Sequence, residues 1–279
     1  MSTKKRILYI SQEVTPFLKA SEISSNVKNL AQKTQESGKE IRVFMPRYGL
    51  VNERRNQLHE VIRLSGMNMI INDVDHPLII KVASIPSAKM QVYFIDNPEF
   101  FKRKFIAKDE KGKIFDDNVQ RAVFFIRGTL ETVKKLGWIP DVIHCHGWMT
   151  SFLPMYLKTH FKDEPHYANT KVISSIYEDK FAGTLDKNTE EILKFDGVTD
   201  EHLSHLKEKA DYINLTKTAI DYSDGIVLFS DDIETEITDY VSKTKIDTLK
   251  FVNSEQHHEN CAKFYDEIIE RVVPGDFTF

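Results

Sequence analysis

The chain has 279 residues, 41% of them hydrophobic, enough for a sizeable core in one large domain. Its 38 basic and 42 acidic residues leave a net charge of −4, which excludes broad electrostatic attraction to nucleic acid or to an anionic membrane surface. Two cysteines, Cys145 and Cys261, are too few for a disulfide framework or a structural zinc cluster, and the apolar run after Met1-Ser-Thr-Lys-Lys-Arg is too short for a signal-peptide core or a membrane span, so a cytoplasmic, soluble protein is expected.

The first predicted strand, Ile7-Leu-Tyr-Ile10, is a continuous apolar run of the kind buried on both faces of a parallel sheet. Thr15-Pro16 ends it, and Ile23, Val27, Leu30 and Ala31 then recur at helical spacing, with Gly38 placed to stop the helix. Ile41 to Met45 predicts the second strand. From Leu58 to Ile95 the character changes: short β-rich runs at His59–Leu64, Met67–Ile71, Leu78–Val82 and Met90–Ile95 are punctuated by Gly, Asn-Asp and Pro, the pattern of hairpins added to a parallel sheet. Lys102 to Lys113 is charge-rich and reads as an exposed, solvated loop. Asp116-Asp117 can cap a long helix carrying Val119, Ala122, Val123, Ile126, Leu130 and Val133 at helical period. Further strands follow at Val142–Cys145, Val172–Ile176 and Ile226–Phe229, with helical segments at Phe152–Tyr156 and between Thr189 and Ala219. A final helix is expected from Asn253 to Val273, before Pro274-Gly275. Strands alternating with helices predict an α/β fold, a doubly wound, parallel, Rossmann-like sheet with an added β-hairpin region. We divide the chain into this domain, residues 1–250, and a carboxyl-terminal helical tail, residues 251–279.

Several segments in order resemble the amino-terminal, acceptor-side domain of the bacterial glycogen and starch synthases. Glu13, Pro16, Phe17 and Lys19 match that family's Glu-x-x-Pro-Phe-x-Lys, and Gly38 to Gly49 match its second strand and Pro-Arg-Tyr loop. Asp141-Val-Ile-His-Cys-His-Gly-Trp148 with Pro154-Met-Tyr-Leu157 is similar to its Asp-x-x-His-x-His-Asp-Trp and Pro-x-Tyr-Leu. Asn214-Leu-Thr-Lys217, Tyr222-Ser-Asp224, Ser230 and Glu236-Ile237 resemble its later segments. The resemblance extends to about residue 240 and implies one half of a GT-B glycosyltransferase, with α-glucan and ADP-glucose as the ligands to consider.

The departures from the family pattern are as informative as the matches. Ser21 and Glu22 stand where the family has two glycines that admit nucleotide-sugar phosphates, Gly147 replaces an acidic residue, and Tyr177 and Glu178 replace a His-Asn pair at a strand end. Lys19 is a candidate phosphate contact by resemblance, although a surface lysine reads equally simply. His146 and Trp148 form a candidate sugar contact at the end of a strand, where an indole could stack on a sugar ring; a core tryptophan beside a backbone-bonded histidine is the alternative. Tyr177 joins them as a candidate, against a reading of Tyr177, Glu178 and Asp179 as exposed turn residues. His144, Cys145 and His146 alternate on a strand but lack further ligands at metal-binding spacing, so no metal is expected. Arg47 and Tyr48 either reach the same crevice or form a turn, Tyr packed and Arg paired with Glu53. His257-His258 reads as surface.

We assign no catalytic residue and no cofactor. The family's second, donor-binding domain has no counterpart in these residues, which implies a glucan-associated or regulatory protein that is not a competent transferase alone. The alternatives are a glucosyltransferase completed by a separate donor-domain chain and a protein-interaction module keeping only the fold. Removing the second domain would leave Phe17, Trp148 and Tyr177 facing water, which predicts a covering partner, either another copy or a separate chain, unless polar replacements have resurfaced the face.

Overall fold

Ile7 to Ile10 have no solvent exposure in the computed structural model, which describes residues 4–271. Their strand, β1 (Arg6–Ser11), sits mid-sheet with a parallel neighbour on either side, which is why it reads as unbroken apolar sequence. The chain then forms α1 (Glu22–Glu36), stopped by Gly38 at φ +93°, and β2 (Glu40–Pro46), parallel to β1. Next come β3 (His59–Glu60), β4 (Met67–Ile71), β5 (Val74–Ile85), β6 (Met90–Asp96) and the short α2 (Pro98–Phe101). The second half runs α3 (Asn118–Lys135), β7 (Val142–His146), α4 (Leu153–Lys158), β8 (Lys171–Ile176), α5 (Thr189–Phe195), α6 (Tyr212–Asp221), β9 (Gly225–Leu228), α7 (Thr235–Lys243), β10 (Asp247–Leu249) and α8 (Gln256–Glu270).

The strand order is β10-β9-β8-β7-β1-β2-β6-β5-β3, with β4 paired to β5 beside this path. From β10 to β6 every pairing is parallel; β5 turns antiparallel to β6, and β3 and β4 are antiparallel to β5. The α/β doubly wound sheet with an added hairpin region is therefore the observed fold. One boundary moves. The Met90–Ile95 run belongs to the parallel core through β2, and only the two strands before β5 hang from it. The His59–Leu64 run is a strand for two residues only, because the chain turns at Val61 to Leu64.

Helices cover both faces. Cys145 points toward α6, whereas His144 and His146, on the opposite face of β7, point toward α1 and α8. Beneath those two helices lies a buried polar seam. The His144 ring bonds Tyr265 Oη through Nδ1 (2.7 Å) and Ser175 Oγ through Nε2 (2.7 Å); the Tyr265 hydroxyl also meets that of Tyr9 (3.0 Å), which donates to Thr34 (2.8 Å).

Helix α8, in the segment beyond residue 250, is thus tied into the centre of the sheet. It is fastened further by Lys39–Asp266 at 2.9 Å and by His258–Asn26 at 2.9 Å. The surface reading of His257 is corrected: it is 2% exposed, packed edge-on to Phe229 with ring centroids 4.8 Å apart, because an amphipathic helix needs that position for its buried face. Val272 to Phe279, including Pro274-Gly275, lie outside the described residues.

Three histidines of this seam are held neutral by burial. His144 is pushed well below the ordinary imidazole value. His146 is lowered to about 3 by burial and then by the His258 charge. His257 falls to about 4 for the same two reasons, the Leu228 carbonyl offsetting little, and neither of its ring nitrogens meets a partner in good hydrogen-bond geometry among the described residues. An unfolded histidine takes up its proton near pH 6.5, so these groups leave the fold unpenalised above that value and destabilise it as pH falls from about 6.5 toward 4. Denaturant titrations at pH 7 and pH 5 should show a clear loss of stability at the lower pH. His257→Phe should narrow that loss by about 1–2 kcal/mol; equal losses in the two proteins would remove His257 from the account.

Candidate functional site

Leaving β1, the chain winds outward to β2 and β6; leaving β7, it winds the other way to β8, β9 and β10. Where neighbouring parallel strands send their connections in opposite directions, a crevice opens beyond their carboxyl ends, and ligands of such sheets bind there. In this chain the crevice measures about 690 Å³. Gln12 and Glu13 at the end of β1, Ser21 and Glu22 at the start of α1, and Glu178 and Asp179 after β8 line its inner part. Residues 104–110 form its outer wall. Lys102–Lys113 is an exposed loop, as its charges predict, and Lys104 to Glu110 of it also wall the crevice.

The start of α1 opens into this crevice and is already satisfied by its own side chains. Ser21 Oγ accepts from the Ser24 amide (3.1 Å) and Ser24 Oγ from the Ser21 amide (2.8 Å), a reciprocal capping box. Ser21 Oγ in turn donates to Glu13 Oε2 (2.9 Å). Glu22 follows in the first turn, where a carboxylate interacts favourably with the helix dipole. Its pKa is nonetheless raised, first by desolvation and then by repulsion from Glu178 across the crevice. Lys19 is exposed, forms no ion pair among the described residues, and lies outside the crevice lining.

At the floor, the Gln12 amide donates to the His146 carbonyl (3.1 Å), the last rung between the two parting strands. Gly147 follows at φ +84°, and a Cβ built there would fall inside the Gln12 carboxamide, 2.5 Å from its Oε1. The space beside position 147 is thus already filled by Gln12, whose Nε2 donates to Glu13 Oε1 (3.1 Å). Neither the sequence pattern nor the resemblance singled out Gln12; its signal was the loss of a side chain at Gly147, which some neighbour had to replace in a close-packed floor.

His146, Trp148 and Tyr177 do come together around the end of β7, but as packed groups. His146 is fully buried, with Nδ1 bonded to the Tyr177 hydroxyl (2.8 Å), and Tyr177 stacks on Phe229 at 4.8 Å. Trp148 is 5% exposed and packs edge-on to Phe181 (5.4 Å). Phe17 meets Phe94 edge-on at 4.9 Å. The expectation that Phe17, Trp148 and Tyr177 face water is therefore corrected: each finds an aromatic partner within this chain. Trp148 and Tyr177 border the crevice but are 5% and 1% exposed. Tyr48 is likewise packed, its hydroxyl against Met149 Sδ (3.3 Å), and Arg47 pairs with Asp96 (2.9 Å) and Glu53 (3.3 Å), so the turn reading holds for both.

Asp179 is not the exposed turn acid that the sequence suggested. Its carboxylate accepts from the Trp148 amide (3.1 Å) and from the Tyr212 hydroxyl (2.9 Å), which bridges also to the Tyr177 carbonyl (2.8 Å). Burial raises its pKa to about 6 despite those two bonds, and Glu13 adds a smaller push in the same direction. His144 and His146 do share one face, with ring centroids 4.1 Å apart, but both His144 nitrogens are taken by Tyr265 and Ser175 and His146 Nδ1 by Tyr177; among the described residues no group of three His, Cys, Asp or Glu is arranged to hold a metal. No helix among them is long and apolar enough to cross a membrane.

The family model described as the starch synthase catalytic domain matches residues 6–249. The chain is similar to the glycogen synthase of Chlorobium phaeovibrioides, 34% identical over 235 residues, which cover 84% of this chain and 47% of that protein. The glycogen synthase of Chlorobium chlorochromatii is 35% identical over 219 residues, 78% of this chain and 44% of that protein. Among solved structures, the catalytic domain of starch synthase IV from Arabidopsis thaliana, bound to ADP and acarbose, superposes with a TM-score of 0.72 at 17% identity, over 90% of this chain and 52% of that one. The chain spans about half the length of the curated relatives it matches.

The floor makes a packing prediction. Gly147→Ala should cost about 1–3 kcal/mol, from overpacking against Gln12 and from a side chain at positive φ. Adding Gln12→Ala should recover much of the overpacking cost, leaving the backbone part. Chemical denaturation of both single variants and the double variant measures this coupling; costs that simply add would show that Gln12 does not fill the space.

Proposed function

Since this chain belongs to the starch synthase catalytic-domain family, we propose that it is an acceptor-side half whose crevice holds an uncharged α-glucan segment and gives nucleotide-sugar phosphates no seat, so that these 279 residues do not transfer glucose unaided. The observation carrying this reading is the state of the α1 amino terminus. A helix end binds phosphate through free backbone N–H groups and the positive end of its dipole. In this chain Ser21 and Ser24 occupy donors there, and Glu13, Glu22 and Glu178 surround it.

The crevice lining carries six carboxyl groups and three lysines, an imbalance that repels a pyrophosphate but suits a neutral ligand rich in hydroxyls. Carboxylates are acceptor-only groups, and sugar hydroxyls are their natural donors. Lys19, outside the lining, adds no cation to this field. The family departures at Ser21 and Glu22 tend the same way: they close space or add negative charge where a phosphate would approach. A role as a glucan-associated or regulatory protein follows, with a partner chain that supplies donor binding as the route by which turnover could be restored.

Titration of the purified chain with maltoheptaose and separately with ADP-glucose tests the reading. Weak binding of the oligosaccharide and none of the nucleotide sugar is expected; tighter binding of ADP-glucose would overturn it. Transfer from ADP-glucose to glycogen should not exceed that of a Lys19→Ala variant. Ser21→Gly with Glu22→Gly should open the helix end, yet turnover should stay absent, because Gly147 and Tyr177 remain altered; glucosyl transfer by that variant would show the helix end to be the sole defect.

A further inference from the structure

With Trp148 and Tyr177 packed away, the aromatic face turned to the crevice belongs to Phe105, which is 40% exposed and stands on the outer wall. Leu50, 47% exposed, lies on the same wall after β2. Two large apolar side chains left in water along one crevice are a cost unless a ligand covers them, and a phenyl ring on a well-held loop keeps that cost at every moment.

The loop is well held from beneath. Arg121 has no solvent exposure, and its guanidinium donates to the carbonyls of Phe100 (2.8 Å) and Ile106 (2.6 Å) while lying over the rings of Phe101 and Phe115. Asn118 fixes the next carbonyl, that of Ala107, at 2.9 Å. On the other side of Phe105, Arg103 makes a bidentate pair with Asp117, both contacts 2.6 Å. Gly49 closes the arrangement. Its amide donates to the carbonyls of Phe101 and Arg103 (2.7 and 3.0 Å), and a Cβ there would overlap the Lys102 carbonyl and come within 2.8 Å of the Arg103 oxygen. Phe105 is thus a preorganised ring on a pinned backbone.

Since β6 and β8 stand on opposite sides of the β1–β7 pair, the wall that follows β6 and α2 faces the segment after β8 across the crevice. That segment carries Glu178 and Asp179. A pyranose has an apolar face of C–H bonds and a rim of hydroxyls, so a ring on one side and carboxylates on the other match its two surfaces. We propose that Phe105 is the stacking platform for a glucosyl unit of the glucan, with Leu50 extending it toward the neighbouring unit. This rests on the reading of the crevice as an α-glucan site and assigns the residue that gives it affinity.

Calorimetric titration of the whole chain with maltoheptaose decides it. Phe105→Ala should weaken binding about three- to tenfold, the worth of an aromatic contact, and Phe105→Trp should bind as well as the unsubstituted chain or better. Phe105→Leu, which keeps apolar area without a ring, should fall between them. Because the ring is partly exposed, thermal unfolding of all three should stay near that of the parent, which separates lost stacking from lost folding. Undiminished affinity in Phe105→Ala, with the parent binding, would overturn the platform and leave the glucan reading intact; no binding by the parent would overturn both.

Discussion

The parting of β1 and β7 is the constraint on which the rest of the molecule depends. Two parallel strands paired along Ile7 to Ser11 and Val142 to His146 must send their chains to opposite sides of the sheet, and only backbone and a few side chains can fill the wedge that opens between them. Gln12 and Gly147 are the two residues at the apex. One gives up its side chain so that the other can lie across it, and the last strand-to-strand bond, from the Gln12 amide to the His146 carbonyl, depends on that exchange. The carboxyl cluster, the capped helix and the outer wall are all arranged around this apex.

Electrostatics and helix capping meet at the same place. The serine pair caps the start of α1 at a favourable energy, typically about 1 kcal/mol for such a cap. On the proposed reading, the stability gained at α1 comes at the expense of anion binding. Asp179 illustrates the companion effect on the other wall, where two hydrogen bonds keep a carboxylate in place although burial pushes its pKa up to about 6. Lowering the pH toward that value neutralises part of the crevice's charge.

Much of the architecture was legible in the residues because parallel strands buried on both faces leave long apolar runs, as at Ile7–Ile10 and Val172–Ile176. The order of the family motifs then supplied the topology. The strand β6 was grouped with the hairpins because it alternates buried and exposed residues; edge position and partner direction both affect that alternation, and sequence alone does not separate them. His257 was unreadable for a related reason, since a polar residue on the inner face of an otherwise polar helix looks like surface. The site was half legible. His146, Trp148 and Tyr177 were correctly brought to one strand end, but whether an aromatic is packed or open depends on its neighbours, Phe181 and Phe229, which lie far off in the chain. The loop that presents Phe105 reads as exposed because its charges are real, and what pins it, Arg121, sits on the buried face of α3 as that face's one charged residue.

The bond between the hydroxyls of Tyr9 and Tyr265 spans 256 residues. During synthesis the first strand leaves the ribosome long before α8 exists, so His144, Tyr9 and the inner face of α1 await their cover while nearly all of the sheet is being made. Contacts so distant in sequence are slow to close and leave apolar surface open in the meantime. The nascent chain therefore has reason to need shielding at the centre of its sheet until α8 arrives, and the order of translation becomes part of how this molecule reaches its fold.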